Sequence, residues 1–552
     1  MKEQEESCMS EDMRQQEQEV EPGFSFEVFC EEVVALLMMA YLFIIFCIYP
    51  FYMKNGYVEI GKEKYEFFKA ITIGAFCLIV PLALICVAFH LRNNIKNRKN
   101  VGFLRLGGMS CTDWTVLAYG ISAVFSYIAS QFKDMALWGE KGWNMGLVTQ
   151  LIFVLSYFLV SRFWEFEEKL LLAFMAASSV VLGLGVLNRF SVYPIEVKGA
   201  NNGFLSTMGN INWFCGYWAV LFPIGFVLYW CAEKLWMRLL ALLGVIIGIA
   251  AGVSQGSNSA FIVFVGVYVL VFCLSFQNRL RMKRFFELAI LFCGVCQGLR
   301  LWRMLQPEAF DYYDSALSSR MTMSRITLYA LVPLFLIYIL LCLVGRKKDF
   351  EIRKWKMVRQ IVVLLLVVVA GVYVFLLVLN SSMQDGIRSL GEWSALVFDN
   401  QWGSARGATW SAGVRTYQSI PTLRRLIGVG SDCFATYLYT IPQVAEAVID
   451  QFGGARLTNA HNEWLTILVN QGIFGFISYG GIFITAVIRY VYHGEKALNG
   501  RRLYLYVFAL SAFAYAIHNV VSFQQILSTP FVFLMLGMGE CLVRAEDERL
   551  QI

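Results

Sequence analysis

The stretch GAFCLIVPLALICVAFH, residues 74–90, contains no Asp, Glu, Lys or Arg. Extended to 70–91, it reaches the length at which an α-helix crosses the hydrocarbon core of a bilayer, about 20 residues. The rest of the chain repeats this pattern. Of 552 residues, 58% are hydrophobic, 15% aromatic and only 16% charged, and the mean hydropathy is +0.58. Soluble domains are rarely so apolar. Apolar runs fall near 33–53, 70–91, 114–132, 147–161, 170–187, 212–230, 239–253, 260–276, 286–302, 326–344, 361–380, 464–488, 504–521 and 523–543. The run at 239–253 is short, and only the polar SFQQ divides the last two. The expected fold is therefore an all-α polytopic membrane protein with about 12–14 transmembrane helices.

Composition excludes several classes. The net charge of +6 is no nucleic-acid footprint, because Lys and Arg gather in short clusters between apolar runs. The expected partner surface is a lipid bilayer, with no nucleic acid. Most of the fourteen cysteines lie inside apolar runs, where a thiol acts as a small apolar residue. CGVC, Cys293 to Cys296, has redox-motif spacing but sits inside a run without a basic neighbour, so it reads as packing. The N-terminal MKEQEESCMSEDMRQQEQEVE is acidic and polar, a tail rather than a cleavable signal peptide.

The basic clusters RNNIKNRKN, QNRLRMKR, GRKKDFEIRKWKMVR and RYVYHGEKALNGRR set the orientation, since short loops rich in Lys and Arg stay in the cytoplasm. Both termini then fall in the cytoplasm. The segment from Ser381 to Ala460, too long for a simple connector, falls outside. The chain divides into an acidic cytoplasmic tail over 1–32, transmembrane helices over 33–187, a core over 188–543 that includes the extracytoplasmic loop 381–460, and a cytoplasmic tail over 544–552. Parts of that loop look helical: RGATWSAGVRTYQSI runs up to Pro421, and the turn GVGSD follows.

Directly after the loop comes AHNEWLTILVNQGIFGF, residues 460–476. A helix starting near His461 would carry Leu465, Leu468, Gly472, Gly475 and Tyr479 on one face. The imidazole would sit at the mouth of that face, with glycines below where a neighbouring helix or an acyl chain approaches closely. On periodicity alone, a lone histidine there is most simply a packing residue.

The motifs around it say more. His461, Asn462, Gly472 and Gly475 resemble the signature of the O-antigen ligase and polymerase superfamily, a His-Asn pair followed by two small residues at fixed spacing. Upstream, Arg406, Trp410, Pro421, Gly428, Gly430 and Phe434 are similar to the family's Arg, Trp, Pro and GxGxxxF. GNINWFCGY, with Asn210 and Asn212 at the outer end of a span, is similar to a third family motif. One departure stands out. Members often carry a Ser-Arg pair after the seventh or eighth span, whereas SQGSNSA has Ser257 followed by Asn258. Arg320 and Arg325, in SSRMTMSR, are the candidates to replace that arginine.

The resemblance implies a fold like the type C glycosyltransferases. It also implies an enzyme of the bacterial cytoplasmic (inner) membrane with its active face extracytoplasmic. Such an enzyme moves an oligo- or polysaccharide from a polyprenyl-diphosphate carrier such as undecaprenyl diphosphate to an acceptor hydroxyl on a glycan, lipid or protein, as ligase or polymerase. A diphosphate is already a good leaving group, so preorganised cations suffice and no metal or other cofactor is expected. Arg406 is the candidate to grip phosphate oxygens bidentately. His461 is the candidate general base, or the residue that positions the acceptor. Glu463 either orients the imidazole or competes for the base role, although on a regular helix it points elsewhere. Asn210 and Asn212 either hold sugar hydroxyls or cap the following helix. Asn462 and Trp410 complete the substrate-binding candidates. Asp311 and Asp314 read as a solvated loop, His518 as packing, and His90 and His493 carry no further signal. The alternative is a transporter or flippase of lipid-linked glycans, which should show matched halves and midplane charges; the spans here read as nearly free of charge.

Overall fold

The computed structural model describes residues 25–96, 108–201, 203–309, 316–344, 352–383, 395–496 and 500–551. Asp311, Asp314 and residues 1–24 lie outside them. In chain order the helices begin with α1 (Phe26–Phe43), α2 (Ile60–Ile95), α3 (Cys111–Ala129), α4 (Lys133–Trp138), α5 (Leu147–Phe163) and α6 (Glu168–Arg189). There follow α7 (Ile211–Cys231), α8 (Leu235–Ser254), α9 (Ser259–Ser275), α10 (Arg279–Leu305), α11 (Ala316–Met323), α12 (Ile326–Val344) and α13 (Lys356–Ser381). The long loop carries α14 (Trp402–Ser419), α15 (Phe434–Leu438) and α16 (Pro442–Phe452). The chain ends with α17 (Glu463–Lys496), α18 (Arg502–His518) and α19 (Thr529–Gln551). A two-residue antiparallel pair, Phe204–Leu205 with Gly209–Asn210, is the one strand element among the described residues.

The architecture is that of a multi-pass membrane protein. Among the described residues, nine helices are long and apolar enough to cross a membrane, and α5, α9 and most of α18 are shorter apolar helices. In hydrocarbon every backbone N–H and C=O must be satisfied internally, which leaves an apolar run no choice but the helix. α7 is central and almost wholly buried, whereas α12 and α13 lie at the edge with almost no side chain buried. Small residues let the helices close up. Gly248 lies under Phe222, Gly252 under Trp218, Gly481 against Thr115, and Gly537 against Tyr157 and Val160.

Three expectations change. First, the spans are not free of charge. Buried Asp113 of α3 pairs with Arg162 of α5 (3.0 Å) and with Arg544 of α19, while Arg489 of α17 pairs with Glu540 (3.2 Å) and Asp547 (3.3 Å) of α19. These charges hold one end of four helices together, and residues 544–551 continue α19. Lys64 is also buried and donates to the carbonyls of Tyr49 (3.0 Å) and Pro50 (2.8 Å). Second, α18 stops at His518 and α19 starts at Thr529, so the polar division between the last two spans is a turn of about ten residues, longer than SFQQ.

Third, the single face of the helix after His461 does not exist. α17 starts at Glu463, and Gly472 breaks it, with φ +69° and ψ −164°. The cause is the loop before it. Val429 N donates to Val469 O (3.1 Å) and Gly430 N to Asn470 O (2.9 Å), so the motif turn docks side-on where the helix opens. A Cβ on Gly472 would lie 2.4 Å from the Leu426 carbonyl carbon, and one on Gly428 would lie 2.3 Å from Asn470 O. The motif glycines thus mesh two backbones and form no acyl groove. Gly472→Ala should therefore destabilise the protein by about 1–3 kcal/mol or more. Gly480→Ala, whose Cβ would meet only Trp464 at 3.5 Å, should be near neutral. Thermal unfolding of the detergent-purified chain, read by size-exclusion, checks both.

Candidate functional site

His461 sits in the loop just before α17, with its backbone in the left-handed region at φ +47°. Asn459 Oδ1 accepts its N–H (2.9 Å), which fixes the turn. Asn462 ends the turn as the cap of α17: its Oδ1 accepts from Leu465 N (3.1 Å) and its carbonyl from Thr466 N (2.9 Å). The imidazole is partly buried, edge-on to Phe523 at 5.2 Å between ring centres. Phe523 in turn meets Trp143 (5.0 Å).

Arg406 reaches the same place from α14. The chain before it, Gly403 to Ala405, turns through three left-handed residues. Its Nε and Nη2 donate to Val521 O (3.2 and 3.1 Å) and its Nη1 to Gly403 O (2.8 Å). These partners are carbonyls; among the described residues no carboxylate forms an ion pair with Arg406. Burial pulls its guanidinium below the ordinary arginine value. Burial, and then the Arg406 cation, push the His461 imidazole down to about 4. The imidazole is therefore neutral at physiological pH with a lone pair free to accept a proton.

Val521 and Phe523 belong to the turn between α18 and α19, and Glu463 holds that turn in place. Its N–H donates to Asn519 O (2.9 Å), and its carboxylate accepts from Gln524 N (2.7 Å). Glu463 is buried and points into this turn, its carboxyl group on Gln524 N. Behind it runs a buried polar chain. Gln524 meets Gln150 (2.9 Å) and Tyr119 (3.2 Å), and Gln471 meets Ser122 (3.1 Å) and Ser431 (3.3 Å). A polar cavity of about 20 Å³, room for about one water, opens among Glu463, Asp432, Gln471 and Gln524. Asp432 accepts from Glu140 N (2.7 Å) and Met145 N (2.9 Å), yet burial pushes its carboxyl up to about 7.

The other sequence candidates divide. Trp410 lines an apolar groove with Phe398, Leu465, Leu468 and Phe476, and Asn462 and Arg415 reach its edge. Asn210 is the cap of α7, accepting from Asn212 N (2.8 Å), and Asn212 O accepts from Gln525 (3.4 Å). Among the described residues, no hydrogen bond, ion pair or ring contact joins Arg320 or Arg325 to the His461 group. Sequence reasoning missed two residues. Arg189, buried at the end of α6, donates to Gln255 O (2.6 Å) and so lies on the SQGSNS turn where the family arginine is absent. From that turn Ser257 (2.7 Å to Ser259) and Ser259 (3.2 Å to Cys215) lead to Cys215, within electrostatic reach of Arg406. His518 is the second. It is fully buried within the field of Arg406, with Nε2 lacking any protein partner. The available signals were an arginine closing a span on the outer face and a repeated His-Asn pair.

Residues 315–480 match the family model described as O-antigen ligase. That segment, less than a third of the chain, is similar to the family's domain; it begins just before α11 and runs through the Arg406 helix, the docked turn and His461 to Gly480. No curated protein matches the chain. Arg406 and His461 lie in the matched segment, but their supporting turn, residues 519–525, comes from outside it. Glu463→Ala removes the acceptor of Gln524 N–H and should cost about 1–3 kcal/mol. Glu463→Gln keeps a carbonyl acceptor there and should cost little. Unfolding temperatures of the two variants, compared side by side, decide.

Proposed function

We propose that the protein is an integral-membrane glycan transferase, moving an oligo- or polysaccharide from a polyprenyl-diphosphate carrier to an acceptor hydroxyl as a ligase or polymerase. One observation carries this reading: a half-buried arginine held, among the described residues, only by carbonyls, beside a histidine that burial keeps neutral. An arginine whose partners are carbonyls keeps its positive charge uncompensated, and a diphosphate supplies the missing anion. The planar fork turns from Val521 O to phosphate oxygens and stabilises the charge that builds as the glycosidic bond breaks. Neutral His461 accepts the proton of the acceptor hydroxyl as the new bond forms. Ser257 and Ser259 add hydroxyl donors, and Arg189, rather than Arg320 or Arg325, fills the place of the absent family arginine. No metal takes part in this reading. Trp410 and the groove beside Asn462 offer an apolar path towards the site. The enzyme works in the bacterial inner membrane with this face outward and both termini in the cytoplasm. The ion pairs that join α3, α5, α17 and α19 gather at one end of the bundle rather than along a midplane path, which does not favour the flippase reading.

Two outcomes follow. Cysteines introduced at Asp399 and at exposed Lys234 should react and stay silent, respectively, with an impermeant maleimide on intact cells; the reverse pattern would overturn the orientation. In transfer assays, His461→Ala should lose about a hundred- to ten-thousand-fold, and Arg406→Lys, which keeps charge without the fork, on the order of a hundredfold. His461 ionises at about 4 in the folded chain, below its usual value near 6.5. Protonation removes the base, so kcat/KM should stay flat on lowering pH from 8 to about 5 and fall only below that. An acid limb centred near 6.5 would contradict this assignment.

A further inference from the structure

At the end of the bundle away from His461, four helix starts converge on one cavity of about 540 Å³. α6 begins at Glu168, α8 at Leu235, α10 at Arg279 and α18 at Arg502, and residues at or next to each start line the space. The first turn of a helix leaves N–H groups without intrahelical partners and carries about half a positive charge. Four such ends aimed at one space make a strong field for an anion.

Two arginines in the wall add to it. Arg281 is 8% exposed and Arg284 4%. Arg284 donates from Nη1 to Trp230 O (3.1 Å), while its Nε is buried without a partner. Arg281 bonds Gln277 Oε1 and the Tyr506 hydroxyl (3.3 Å), and its guanidinium lies 5.1 Å from each of the Trp230 and Tyr506 rings. Neither is in an ion pair with a carboxylate among the described residues. Lys234 and Arg501 stand at the cavity as well, against the carboxylates Glu168 and Glu233. Glu233 is exposed, and Glu168 is engaged by Tyr504. Taking a guanidinium out of water is costly; Glu495 offsets part of that cost for Arg281 and Glu287 part for Arg284, neither as an ion pair among the described residues. An anion in the cavity completes the compensation.

We propose that this cavity binds a phosphate group, presented as the headgroup of an anionic phospholipid. The cavity's flank favours a lipid over a free ion: Leu280, Leu235, Trp236 and Leu239 are 50%, 65%, 51% and 57% exposed around it, a surface for acyl chains beside a basic pocket between helices. A bound headgroup ties together four helix starts that otherwise repel through their dipoles and cations. It acts far from His461 and independently of the glycan chemistry.

The test uses the full chain in a neutral detergent, its unfolding temperature measured with phosphatidylglycerol, with phosphatidylcholine and with inorganic phosphate. Ligands that bind only the folded state raise that temperature. Phosphatidylglycerol should raise it by on the order of 2 °C or more, phosphatidylcholine should leave it unchanged, and inorganic phosphate should give a smaller rise. The phosphatidylglycerol rise should vanish in Arg281→Gln/Arg284→Gln. If that pair does not fold, Lys234→Gln/Arg501→Gln at the rim should diminish the rise. A phosphate effect equal to that of phosphatidylglycerol overturns the lipid assignment. No response to either anion, or an undiminished response in the variants, overturns the site.

Discussion

Two backbone hydrogen bonds, Val429 N to Val469 O and Gly430 N to Asn470 O, join the long loop to the helix that follows it. A helix carbonyl is normally taken by the amide four residues on. At Asn470 the loop takes it instead, and Gly472 supplies the conformation in which the helix can part and resume. Only glycine fits there, because the 425–427 backbone lies where a Cβ would be. The same docking sets α14 against the start of α17, with Gly413 packed on Leu465 and Ala460. Arg406 comes from α14 and His461 from the turn before α17, and this joint brings them together.

The joint alone does not complete the site. Arg406 is oriented by Val521 O and His461 by the Phe523 ring, and both belong to the turn that Glu463 grips through its N–H and its carboxylate. A carboxylate without a cation, a cation without a carboxylate and a neutral imidazole thus lie within a few residues of each other around one turn. Self-contained structural charge looks different. At the far end of the bundle Asp113, Glu540 and Asp547 balance Arg162, Arg489 and Arg544. The contrast separates a network that closes on itself from one that leaves capacity for a substrate.

Much of this was legible in the sequence, for a physical reason. Runs of about 20 apolar residues have one stable solution in hydrocarbon, so the helices follow directly from residues such as 74–90. Arg406 and His461 stood out through the resemblance of their motifs to the O-antigen ligase and polymerase superfamily, since on periodicity alone His461 reads as packing. What the sequence hid depends on the third dimension. A 3.6-residue repeat through Leu465, Leu468, Gly472 and Tyr479 predicts one face, and only the passing loop breaks it. The charges of α3, α5 and α19 sit beside apolar residues along the chain, and their partners on other helices lie 49 to 431 positions away. Arg189 lies in a different segment from the Gln255 carbonyl it bonds, a pairing that local spacing does not show. Glu463 was judged by helical geometry relative to His461, whereas its partner is Gln524.

The central claim is that Arg406 and His461, fixed by the docked loop and the 519–525 turn, form one anion-binding and proton-accepting centre. The most direct measurement is an electron cryo-microscopy structure of the full chain in nanodiscs with an undecaprenyl-diphosphate-linked sugar. The account predicts diphosphate density within hydrogen-bond distance of the Arg406 guanidinium, in place of the Val521 carbonyl, with the sugar towards His461. Diphosphate density seated elsewhere, with Arg406 still bonded to Val521 O, would contradict it.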